Sequence, residues 1–208
     1  MSDKFDEQDD ALEAANPTER RVRADAQRNL DGLLQSAMTV FAASGVDAPV
    51  REIAKQAGVG VGTVYRHFPQ RSDLIKAVFR REIDACADAA SVLAKEHEPG
   101  EALARWMQRY VDFLSAKRGL AAALHSGDPA YEALPTYFDK RLRPTLESLL
   151  SAAVMAGEIR SGVEPNDLLR AVASLCTSAN DVGADHPRRM VALLVDGLRY
   201  GANGHNRR

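Results

Sequence analysis

Thr63, Tyr65, Arg66 and His67 place a hydroxyl, a phenol, a guanidinium and an imidazole close together in the stretch "VREIAKQAGVGVGTVYRHF", Val50 to Phe68. Such groups hydrogen-bond phosphate oxygens, and a guanidinium also forks onto the edge of a guanine. Other chemistries find little support in the chain. "GVGVGT" lacks the G-x-G-x-x-G spacing and follows no strand, which argues against a nucleotide-binding loop. His67 has no partners at metal-ligand spacing, so neither a metal nor a cofactor is expected. Glu96 and His97 are adjacent rather than three apart and diverge on a helix. No G-x-S-x-G or H-E-x-x-H occurs, so an enzyme built in a helical bundle is a weak rival. A helical adaptor that binds protein is another, but it would leave the Thr63–His67 face without purpose.

The elements that must carry those side chains are short helices. Pro49 precedes a helix over about 50–56, with Ile53, Ala54 and Ala57 inward, and Gly58 ends it. A second short helix covers about 61–67 and Pro69 closes it. Val64 and Phe68, four apart, pin this helix to the core. Gly62, Thr63, Arg66 and His67 then face outward, with Tyr65 on the flank. The major groove of DNA is about 12 Å wide and admits one supported helix. Glycines at 60 and 62 would let the backbone come close to it.

In front lies a longer helix, about 24–43, with Leu30, Leu33, Leu34, Ala37, Met38 and Phe41 on one face and Gly45 as its stop. Behind lies a helix from Ser72, a plausible N-cap, to about Lys95. The pattern stays helical over 101–117, 130–156, 165–182 and 187–200. A short apolar segment, "GLAAALH", lies between the first two of these. Pro144 must kink or split the long run over 130–156. No strand signal survives, and the expected fold is all-α with about nine helices.

Charge is distributed unevenly over the 208 residues. Residues 1–16 carry six acids and one Lys, and the first 20 read as a disordered acidic tail. Residues 17–83 carry eleven Lys/Arg against seven Asp/Glu, as a nucleic-acid-facing module would. Arg20, Arg21, Arg23 and Arg28 lead into it, as a phosphate-touching arm or a solvated helix start. No apolar run is long enough to span a membrane and the N-terminus lacks a signal-peptide core, so a cytoplasmic protein is expected. Cys86 and Cys176 read as buried free thiols.

The stretch "VREIAKQAGVGVGTVYRHFPQRSDLIKAVF" resembles the DNA-binding domain of TetR-family transcriptional regulators. The likeness rests on the alanine, glycine and valine of "IAKQAGVGVGTVY", on "YRHF" and on the basic residue three beyond the phenylalanine. It implies a helix-turn-helix over about 49–68 within a DNA-binding domain over 21–85. A ligand-binding and dimerisation domain over 86–203 would follow. By resemblance, Thr63, Tyr65 and His67 grip phosphates, and Val61, Gly62 and Arg66 face base edges. Val50 and Arg51 open the supporting helix, which also touches DNA. Arg71 takes the place of a phosphate-binding Lys at the start of the fourth helix.

The resemblance further implies a homodimer on a palindromic double-stranded operator, repression as the default, and release by a small, largely apolar effector. The last two helices would pair the subunits through Leu168, Val172 and Leu175 and through Met190, Leu194 and Leu198, unless those stripes face the subunit's own core. Trp106, Tyr110, Phe113, His125 and Tyr137 are the candidate pocket residues, although core packing accounts for most such aromatics.

Overall fold

The computed structural model describes residues 17–117, 126–177, 183 and 185–200. Among them are eight α-helices, one 3-10 turn and no strand. The order is α1 (Pro17–Ser44), α2 (Val50–Ala57), α3 (Val61–His67), α4 (Arg71–Glu96), α5 (Pro99–Lys117), the 3-10 turn Pro129–Tyr131, α6 (Ala133–Met155), α7 (Pro165–Thr177) and α8 (His186–Arg199). The expected apolar segment at 119–125 and residues 1–16 of the expected disordered tail lie outside the described residues, while 17–20, read as the end of that tail, form the first turn of α1, with Pro17 at its first position. Of the helices present, none is long and apolar enough to cross a membrane.

The stripe expected on α1 is the one buried. Leu33, Ala37 and Phe41 are nearly inaccessible, and they meet Ile53 and Ala54 of α2 and Val64 of α3. Gly58 caps α2 in the left-handed region at φ 67°, and its N–H reaches the carbonyls of Ala54 and Lys55. That turn needs a residue without Cβ strain, and glycine supplies it. The helix α4 begins at Arg71 rather than at an N-cap Ser72. Gln70 is the cap, and its N–H donates to Asp73 Oδ2 at 3.2 Å in a capping box.

From there α4 leaves the three-helix head and enters the body, where it packs against α5 and α6. One continuous core links the two parts, so the expected domain limit at residue 85 falls inside α4. Trp106 donates its Nε1–H to the Cys86 carbonyl at 2.8 Å and stacks on Tyr110 at 5.8 Å with the rings 6° apart. Burial pushes the Cys86 thiol up to about 12, which keeps it protonated and unreactive at neutral pH. Burial likewise raises the Tyr110 phenol.

Pro144 sits within α6, which runs through it as one helix. The proline has no N–H for the Lys140 carbonyl. The next residue, Thr145, donates its hydroxyl to the Arg141 carbonyl at 2.7 Å, and Leu142, Leu146, Leu149 and Leu150 bury the same helix on both sides of the proline. Packing holds together what the local chain would break.

Candidate nucleic-acid interface

Most of the side chains singled out around α3 share one accessible face. Val64 is 1% exposed and faces the core, while Gly62, Arg66 and His67 are exposed. Tyr65 is 52% and Val61 40% exposed, unusual for large apolar bodies unless a partner covers them. Thr63 is half-buried, and its N–H closes the first turn on the Gly60 carbonyl at 2.9 Å. On α2, Arg51 is exposed and Val50 half-buried against the core. Neither Arg51 nor Arg66 is drawn into an ion pair among the described residues. Both guanidinium groups therefore retain their full donor capacity for an outside acceptor. Arg28 of the basic lead-in, by contrast, pairs with Asp25 one turn earlier.

Arg71 departs from the expected phosphate clamp. Its guanidinium turns inward, donating through Nε to the Val46 carbonyl at 2.6 Å and through its terminal nitrogen to the carbonyls of Val46 and Ala48. The group also lies 6.0 Å from the Phe41 ring centroid. Residues 46–48 form the turn between α1 and α2, which leaves carbonyls without helical partners, and a fork of donors fits them.

A cavity of about 230 Å³ opens between α5, α6 and α7. Tyr110, Leu114, Phe138 and Leu169 are among its apolar lining, and Asp139, Asn166 and Arg170 are polar. Of the four aromatic candidates among the described residues, Tyr110 alone lines it. Trp106 and Phe113 are packed behind Tyr110, in the core. The Tyr137 hydroxyl donates instead to Asp84 on α4, with the two carboxylate oxygens at 2.8 and 2.7 Å. His125 lies outside the described residues.

Two solved structures cover nearly their whole length with this chain. A TetR transcriptional regulator from Streptomyces coelicolor is 37% identical, with 81% of this chain and 97% of that one aligned at a TM-score of 0.70. A TetR regulator from Mycobacterium vanbaalenii is 36% identical, with 86% and 99% aligned at 0.67. The chain belongs to the TetR family of transcriptional regulators. A family model described as "Bacterial regulatory proteins, tetR family" matches residues 33–78 of this TetR-family chain. Another, "Transcriptional regulator SbtR-like, C-terminal domain", matches 98–200. An HTH-type transcriptional regulator of Staphylococcus aureus is 39% identical over 64 residues. That match spans 30% of this chain and only 35% of the relative's own length. As a TetR-family member the protein is a DNA-binding regulator, and its α2–α3 unit is the helix-turn-helix.

The stripes proposed for subunit pairing turn largely inward. Leu168, Val172 and Leu198 are at most 4% exposed, within the subunit's own core. Leu175, Met190 and Leu194 are half-buried. What α8 leaves outside is Leu193, at 63% exposure, with Gly197 four residues further on and Tyr200, just past the helix end, seven. A sequence stripe shows which residues are apolar, and here the more regular stripe serves the core. The polar cavity residues escaped notice for a related reason. Asn166, Arg170 and Ala173 share a flank of α7 at helical spacing, beside its apolar stripe rather than within it.

Gly62 gives a local test of this TetR-family head. A Cβ built there meets nothing within 4 Å, and its backbone is not in the left-handed region. Glycine in a helix costs up to about 1 kcal/mol relative to alanine, so the fold alone does not explain the residue. Gly62→Ala is expected to raise the melting temperature slightly and to weaken DNA binding. Unchanged or tighter binding in a fluorescence-anisotropy titration would show that the DNA backbone does not approach this position.

Proposed function

We propose that this protein is a cytoplasmic, homodimeric repressor that binds a palindromic operator and is released from it by a small effector with a largely apolar body. The observation that carries the reading is the face of α3. Arg66, Tyr65 and His67 stand exposed over a buried Val64, and no described residue pairs with Arg66. Arg66 reads a guanine edge, Thr63, Tyr65 and His67 hold phosphates, and Arg51 steadies the start of α2. The chain carries out no reaction of its own in this reading.

The cavity between α5, α6 and α7 takes the effector. Its walls connect to α4 through firm polar links. Arg141 on α6 donates to Asp84 at 2.7 Å and to Asp88 at 2.9 Å, beside the Tyr137–Asp84 bonds. An effector shifts the equilibrium only by its differential affinity for two arrangements of α4, and a coupling of about 1–3 kcal/mol would be usual. By linkage, operator DNA must weaken effector binding by the same factor.

A gel-shift titration against the DNA upstream of the protein's own gene tests the reading. Specific retention that Arg66→Ala removes, while non-specific binding persists, is the expected result. Equal retention of operator and random duplex by the unaltered protein would overturn it.

A further inference from the structure

The walls of the α5–α6–α7 cavity carry a charge pattern that an apolar effector does not use. Asp139 from α6 and Arg170 from α7 both line it, both are exposed, and neither forms an ion pair or hydrogen bond among the described residues. Some charges on these and the adjoining elements do pair: Arg141 with Asp84 and Asp88, Arg143 with Glu164, Arg188 with Asp112. Asp139 and Arg170 thus face one cavity while lying beyond ion-pair reach of each other. Asn166, the second residue of α7, adds an amide without a partner in the described part of the chain.

Beneath them the lining is aromatic and held in place. Tyr110 is 1% exposed, stacks on Trp106 on one side and on Phe113 at 6.0 Å on another, and meets Phe138 at 6.2 Å. Its hydroxyl reaches the Leu169 carbonyl only at 3.5 Å, so that donor is weakly engaged. The cavity volume of about 230 Å³ equals about eight water-sized groups at ~30 Å³ each. One ring or a short branched chain with its head group fits within it.

We propose that the cavity selects a compact zwitterion with an apolar body, of the chemical class of an aromatic or branched amino acid. The body lies on Tyr110 and Phe138, the anionic end meets Arg170 and the Asn166 amide, and the cationic end meets Asp139. A molecule with both charges gains two interactions that the protein leaves unmade, whereas a purely apolar one gains neither. This rests on the regulator reading for its biological purpose, but the binding rule is independent of DNA.

The test is calorimetric titration of the full chain, without DNA, with L-phenylalanine, benzoate, benzylamine and benzyl alcohol. Phenylalanine is expected to bind about tenfold tighter than either singly charged probe, the factor that one such charge interaction supplies. Arg170→Gln should weaken phenylalanine and benzoate about tenfold and spare benzylamine. Asp139→Asn should weaken phenylalanine and benzylamine and spare benzoate. Circular dichroism confirms that each variant is folded. Equal affinities for the four probes, variants that move them all alike, or no heat up to the solubility limit would each overturn the proposal. Failed operator retention with the charge rule intact overturns the regulator reading alone. Intact retention with no charge rule overturns this proposal alone.

Discussion

Arg71→Ala is expected to lower the stability of the protein by about 2 kcal/mol and to weaken operator binding without changing its salt slope. The guanidinium ties α4 to the turn between α1 and α2 through the carbonyls of Val46 and Ala48, both in buried residues. Hydrogen bonds from a charged donor contribute about 1.5–3 kcal/mol each, and their loss strands the carbonyls. Partial exposure of Arg71 keeps the figure at the lower end. A phosphate clamp would behave differently. Its removal flattens the slope of log affinity against log salt by about one unit and leaves stability alone. Arg71→Lys sharpens the contrast, because lysine keeps the charge but cannot fork onto two carbonyls. It should resemble the alanine variant in a thermal melt. Arg66→Ala should do the opposite of both: unchanged melting, with about 1–3 kcal/mol lost at one symmetric pair of base positions. Arg71→Ala with normal stability and a flattened slope would restore the phosphate role.

The other large effect concerns assembly. Leu193→Glu combined with Gly197→Glu should convert a dimer into folded monomers and lower affinity for a two-half-site operator by about 10²–10⁴, the gain that linking two heads supplies. Both positions are exposed on α8, so the isolated fold loses nothing. Leu198→Glu is the control. Leu198 is 3% exposed in the subunit core, and a buried carboxylate there should unfold the chain rather than separate subunits. Sedimentation showing an unchanged dimer for the double variant would place the interface on another surface.

The head was legible from sequence because its determinants are local. Periodicity located α1, Pro49 and Gly58 bracketed α2, and Val64 with Phe68 oriented α3. The entry to α4 differs, since Ser72 suits a cap by type while the reciprocal bonds belong to Gln70 and Asp73, and α1 begins at Pro17, seven residues before its expected start near 24. The body was less legible because its determinants are tertiary. Trp106 and Phe113 differ from Tyr110 not in character but in which side of α5 meets the cavity. The direction of Arg71 depends on carbonyls 23 and 25 residues away, which no spacing rule contains. Pro144 reads as a kink or a split because the cost is local, while the compensation, from leucines of the same helix packed against other helices, is not.

The length of α4 has a mechanical consequence. Its 26 residues span about 39 Å at 1.5 Å per residue, with the DNA-reading head fixed to one end and the α5–α6 layer gripping the rest. A lever of that length turns a rotation of about 5° at the body into ~3 Å of travel at the head. In a two-fold assembly the excursions of two heads add, to about half the ~12 Å width of a major groove. Displacements in the body too small to disturb its core are therefore large enough, forty ångströms away on the scale of about 1.5 Å per residue, to move a reading helix off its base pairs.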